Sequence, residues 1–88
     1  MFDTLAANGS TDEFVAYGDV LVATATEEVA TINGSLNIEE YVPGKGWITR
    51  HTFSAVGTQT LQSSGNGPTR WRGTTTGQSA GTWGLALR

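Results

Sequence analysis

The sequence predicts an all-β domain: a small antiparallel β-sandwich of about seven strands, Greek-key or jelly-roll-like, with no substantial helix. Three observations carry that expectation. Short runs rich in Val, Ile, Thr and aromatics alternate apolar with polar residues at period two. Clusters of Gly, Pro, Asn and Asp interrupt those runs at intervals of about 8–12 residues, the spacing of tight turns in small sandwiches. Helix signals are few. "STDE" at 10–13 has the form of a capping box, but the "FVAY" that follows is β-branched and aromatic and ends at Gly18. "TEEVA" at 26–30 has room for one turn at most.

Taken in order, residues 1–10 read as an N-terminal arm and residues 11–88 as a single domain. "DEFVAY" at 12–17 is the first expected strand. "DVLVATA" at 19–25 is a dense β-branched run, suited to a strand covered on both faces. Residues 32–38 place Ile32, Gly34, Leu36 and Ile38 on one face and Asn33, Ser35 and Asn37 on the other, with Glu39 continuing the polar side. Pro43-Gly44 with Gly46 then forms a hairpin loop into "GWITRHTF" at 46–53. "TQTLQ" at 58–62, a strand centred on Trp71, and 83–87 complete the set. In the last, Trp83, Leu85 and Leu87 alternate with Gly84 and Ala86. Turn residues lie between them at 7–10, 17–19, 42–46, 63–68 and 76–81.

A chain of 88 residues is short. At that size a fold buries only ~60–65% of the surface its unfolded chain exposes. With no cysteine, disulfides and Cys-based zinc sites are excluded, which leaves assembly with other chains as the common remedy. Large aromatics are the other resource. Trp47, Trp71 and Trp83 are expected to fill the space between two sheets, together with Leu36, Ile38, Leu85 and Leu87.

An inward Trp71 turns its neighbours Arg70 and Arg72 outward. No acidic residue is near them in sequence, so they read as a patch for carboxylates on a neighbouring molecule. The plainer reading is solvated strand residues that discourage edge-to-edge association. All eight acidic residues precede Tyr41 and all five basic ones follow Pro43. Such asymmetry fits contacts between copies, or else strands of the two halves interleave and the field averages out.

The formal charge of −3 has the wrong sign for a duplex-binding module, and no apolar run is long enough to cross a bilayer as a helix. No targeting feature appears at the N-terminus. His51 lacks a neighbouring nucleophile and orienting group, so it reads as structural. Glu27-Glu28 and Glu39-Glu40 are sequential, and in a strand each pair splits across two faces, where solvated charge is the default. The glycine-rich "SGNGP" at 64–68 lacks the Lys and following helix of a phosphate loop. The expectation is a protein that is not an enzyme and has no cofactor, no metal, no nucleic-acid partner and no membrane partner.

The order of "ANGSTDEF", "YGDVLVATA", "GSLNIEEYVPGKGW", "GPTRWRG" and "GTWGLALR" resembles small tailed-bacteriophage virion proteins of the β-sandwich decoration or head-fibre type. The matching features are the strand carrying Leu36 and Ile38, the P-G-x-G-W hairpin at 43–47 and the aromatic-Arg pair at 71–72, where Trp71 stands in place of the commoner tyrosine. The resemblance implies a capsid decoration or cement protein, or a head-fibre base, assembled in the host cytoplasm. It implies a homo-oligomer, with a trimer favoured, on the outer surface of the major capsid protein or another virion protein. By the same resemblance Phe2 and Leu5 of the arm grip a neighbour and Arg70 and Arg72 make polar contacts. A small tail, adaptor or baseplate component shares these features. A carbohydrate-binding module with an exposed Trp47 or Trp83 as stacking platform is a reading of another class.

Overall fold

The structure is a computed structural model, and it describes residues 1–6, 8–29, 33–63, 68–77 and 81–88, with the side chains of 28 and 29 outside that description. The chain is all-β. Its strands are β1 (Phe2–Leu5), β2 (Phe14–Ala16), β3 (Val20–Val29), β4 (Ser35–Val42), β5 (Gly46–Phe53), β6 (Gly57–Gln62), β7 (Thr69–Thr76) and β8 (Thr82–Leu87). They form two antiparallel sheets of four strands, in the orders β1-β8-β3-β6 and β2-β7-β4-β5.

That order has one simple description. β1 pairs with β8, β2 with β7, β3 with β6 and β4 with β5, so the eight strands form a long nested hairpin. Rolling it up creates the two further contacts, β3 with β8 and β4 with β7, and yields the jelly-roll sandwich. The eighth strand, β1, lies in the segment expected to be an arm. Residues 2–5 run along β8 in register from Phe2 opposite Ala86 to Leu5 opposite Trp83, and Leu5 is buried. The first residues are therefore part of the domain, because Leu5 completes the core beside Trp83.

The core lies between the sheets. The first contributes Leu5, Leu21, Ala23, Ala25, Trp83, Leu85 and Leu87, and the second Ala16, Leu36, Ile38, Phe53 and Trp71. β3 alternates buried with less buried residues, so it is covered on one face only, contrary to the expectation from its β-branched run. Gly34 lies outside β4 with a φ of 78°, so the expected face of that strand shortens to Leu36 and Ile38, and Ile32 lies outside the described residues.

At Gly73 the two sheets approach closely. A Cβ built there would sit 2.3 Å from Leu85 Cδ2 of the opposite sheet. The missing side chain is the recess that receives Leu85.

Two local devices set the register. Lys45 N–H donates to Val42 O at 2.9 Å, and Gly44 has a φ of 84°, the type II turn that a Pro-Gly pair favours. At the other end, residues 9–11 cross from the first sheet to the second and are tied to β7. Thr11 N–H donates to Gly73 O, and Thr75 Oγ1 accepts from Gly9 N–H and donates to Ala6 O, both at 2.8 Å. The "STDE" segment is thus a bridge between sheets, not a helix start.

Candidate binding face on the second sheet

β4 fixes the geometry of the candidate face. Leu36, Ile38 and Glu40 point inward, so Asn37, Glu39 and Tyr41 point outward. The hairpin closes with Val42 opposite Gly46, which puts Trp47 opposite Tyr41 on the outer face. Trp47 is half-buried there and is not a core residue, which corrects the expectation for it. Of the three tryptophans, Trp71 and Trp83 are fully buried.

Across the sheet, Val15, Arg70, Tyr41 and Trp47 form one continuous row, each opposite the next on the neighbouring strand. Arg72, Glu39 and Thr49 form the adjacent row. The two arginines therefore do point outward, as an inward Trp71 requires, but they lie over aromatic rings. The Arg70 guanidinium carbon is 4.4 Å from the Tyr41 ring centre, and that of Arg72 is 4.3 Å from Trp47. The two rings meet edge to face at 5.4 Å.

Each arginine also has a carboxylate of its own chain. Arg70 binds Glu13 in a bidentate pair, Nε to Oε2 at 2.9 Å and Nη2 to Oε1 at 2.5 Å. Arg72 Nε donates to Glu39 Oε1 at 2.7 Å. The expectation of arginines left for a neighbour's carboxylates is corrected accordingly. Both acids come from the first half of the sequence, and the nested hairpin brings them to β7. The Arg70 hydrogen bond holds the Glu13 carboxyl below its ordinary range, and the same contact raises the Arg70 guanidinium.

Glu40 departs furthest from the solvated default. It is fully buried between the sheets, and Arg50 reaches it with Nε and Nη2, each 3.0 Å from Oε1. The β4–β5 register shifts between Ile38 and Glu39, leaving Arg50 as the extra residue of a bulge. That bulge brings a charged side chain from an edge strand to an interior carboxylate. His51 faces inward opposite Ile38, with its ring 4.6 Å from that of Phe53.

Of the residues singled out for partner contact, Arg70 and Arg72 stand together on this face. Phe2 lies on the outer side of the opposite sheet, 59% exposed, and Leu5 is in the core. Tyr41, Glu13 and Glu39 complete the cluster. Extending the alternation Asn37, Glu39 by two residues identifies Tyr41 from sequence. Nothing local in sequence identifies Glu13 as the partner of Arg70.

Chemically, the face offers stacked aromatic and guanidinium groups whose charge is balanced by Glu13 and Glu39. Among the described residues, no group of three or more His, Cys, Asp or Glu could hold a metal ion, and no helix is long and apolar enough to cross a membrane. Comparison with known proteins finds no match among family models, curated proteins or solved structures.

Proposed function

We propose that this chain is a structural binding protein of a tailed-phage virion, a capsid decoration or cement protein or the base of a head fibre, acting in multiple copies on the outer surface of the major capsid protein. The observation that carries this reading is the nested strand order, the jelly roll that recurs in viral capsid and lectin domains. It is a fold-level analogy, joined to the sequence resemblance. Repeated copies on a lattice would hold through many modest contacts, since linked binding events reinforce one another.

The accessible contact surface differs from the sequence-based expectation. Leu5 is unavailable, and Arg70 and Arg72 would have to exchange Glu13 and Glu39 for a partner's carboxylates. Phe2 remains accessible. The test is saturable co-sedimentation of the purified chain with shells assembled from the major capsid protein. Stoichiometric saturation, weakened by Phe2→Ser, supports the reading. Absence of co-sedimentation rejects the capsid role and leaves a tail, adaptor or baseplate position.

One observation favours the carbohydrate-binding reading: Trp47 and Tyr41 lie side by side on an outer face. Their rings already carry guanidinium groups, which a sugar would have to displace. Glycan-dependent change in tryptophan emission that is lost in Trp47→Phe would establish that alternative.

A further inference from the structure

Each sheet of an open sandwich has two edge strands whose outward amide groups can pair with another chain, and proteins guard such edges with short length, charge, proline or bulges. Three of the four edges here are guarded. β1 has 4 residues and includes Asp3, and β2 has 3 residues. β5 has 8, but the bulge at Arg50 breaks its register.

The fourth edge, β6, has none of these devices. Its six residues, "GTQTLQ", pair with β3 in unbroken register, and they lie inside a stretch from 52 to 69 that contains no Asp, Glu, Lys or Arg. The only proline of that stretch is Pro68, beyond the strand.

The direction of the free groups follows from the ladder. Ser63 N–H donates to Asp19 O at 2.8 Å, which makes that facing pair a hydrogen-bonded one. In an antiparallel ladder such pairs alternate, so Leu61, Gln59 and Gly57 also turn their amides toward β3. Thr58, Thr60 and Gln62 consequently present N–H and C=O outward. Gln59 Nε2 donates to Thr60 O at 3.3 Å, covering one of these carbonyls with a side chain.

We infer that β6 is a docking edge for a second copy of this chain, paired antiparallel about a two-fold axis at Thr60. Two physical points select that occupant and register. A neutral edge meets its own copy without like-charge repulsion. Placing Thr60 opposite Thr60 of the second copy also sets Thr58 opposite Gln62 and keeps inner and outer faces in phase. All the outward groups of Thr58, Thr60 and Gln62 then find partners, which gives six interchain backbone hydrogen bonds. A register centred on Gln59 keeps the same phase but leaves Gln62 unpaired. The product is one continuous eight-stranded sheet, built from two four-stranded ones. The inference stands apart from the virion reading, because pairing requires only the chain itself.

Sedimentation equilibrium of the wild-type chain should show a reversible monomer–dimer equilibrium. Thr60→Pro removes an N–H that faces away from β3 and so spares the internal ladder. It should weaken the dimer by at least about tenfold while circular dichroism is unchanged. Thr60→Lys and Thr60→Glu each place like charges across the axis and should dissociate, and an equal mixture of the two should regain the dimer. That recovery excludes simple misfolding as the cause of dissociation. A wild-type chain that stays monomeric up to about 1 mM overturns the inference. So does a trimeric mass, or a dimer indifferent to all three substitutions. None of these results bears on co-sedimentation with capsid shells.

Discussion

Gly73→Ala tests the close approach of the two sheets. The added methyl would lie 2.3 Å from Leu85 Cδ2, whereas carbon atoms in contact sit at ~3.5–4.0 Å. Leu85 is fully buried, so moving it displaces other core atoms. Overpacking of this kind costs ~1–3 kcal/mol. Alanine restricts the unfolded chain more than glycine does, which returns ~0.4–1 kcal/mol. The net expectation is a loss of ~1–2 kcal/mol, or a Tm lower by roughly 5–15 °C in a domain of this size. Guanidinium unfolding followed by tryptophan emission measures it, with an unchanged slope confirming the same transition. Gly57→Ala is the control: a methyl there would meet nothing within 4 Å on β6, so it should gain ~0.4–1 kcal/mol. Leu85→Ala alone should cost ~2–5 kcal/mol. Combined with Gly73→Ala, the clash disappears and the new methyl occupies part of the vacated space. The double variant should therefore lose less than the two singles together, by ~1–3 kcal/mol. Stabilisation by Gly73→Ala, or additivity with Leu85→Ala within ~0.5 kcal/mol, would refute the recess.

Thr75→Val keeps shape but strips the hydroxyl that joins Gly9 N–H to Ala6 O; a loss of ~1–3 kcal/mol is expected by the same unfolding assay. Trp71→Ala should cost ~3–5 kcal/mol, against a clearly smaller loss for the half-buried Trp47→Ala. Glu13 has a carboxyl held low in the folded state, so its contribution is full above the unfolded-state pKa and fades as pH falls through the folded-state pKa. Glu13→Gln should accordingly be less stable than wild type at neutral pH, and the difference should close on acidification through the carboxylate range. Both partners are well exposed, so high salt should narrow that difference at neutral pH.

The strands were legible because alternation and turn chemistry are local. Leu36 and Ile38 mark one face of β4, and Pro43-Gly44 marks the turn after it. Strand order was not legible, since several Greek-key arrangements satisfy the same short strands. Trp47 shows where a general preference misled: tryptophan favours the interior, but the hairpin register ties Trp47 to Tyr41, and Tyr41 has the parity of the outer face. Position in the chain suggests an arm for Leu5, whereas its alternation with exposed Phe2 and Thr4 is that of a strand with one face covered. Glu40 has the parity of Leu36 and Ile38, which placed it inward. What made an interior carboxylate tenable was the bulge at Arg50, a feature of pairing that no short stretch of sequence announces.

The nested hairpin also resolves the one-sided charge distribution. All three ion pairs among the described residues, Glu13 with Arg70, Glu39 with Arg72 and Glu40 with Arg50, join the acidic half to the basic half. Segregation along the chain becomes neutralisation in space, as the interleaving alternative required. On the second sheet this leaves guanidinium groups already matched to carboxylates and laid over rings, so a partner there must break contacts before it makes any. The outer side of the first sheet is different. One row runs Phe2, Ala86, Thr24, Thr58 across all four strands without a charge, tied by the Thr24–Thr58 hydroxyl contact at 3.2 Å, and it ends at the unguarded edge of β6. Desolvating such a row removes no ion from water, which makes it the less costly surface to cover. If association occurs through the first sheet, neutralising Arg70 and Arg72 together with Glu13 and Glu39 should alter stability and leave self-association unchanged. A loss of association in that quadruple variant, with the fold intact, would move the interface to the second sheet.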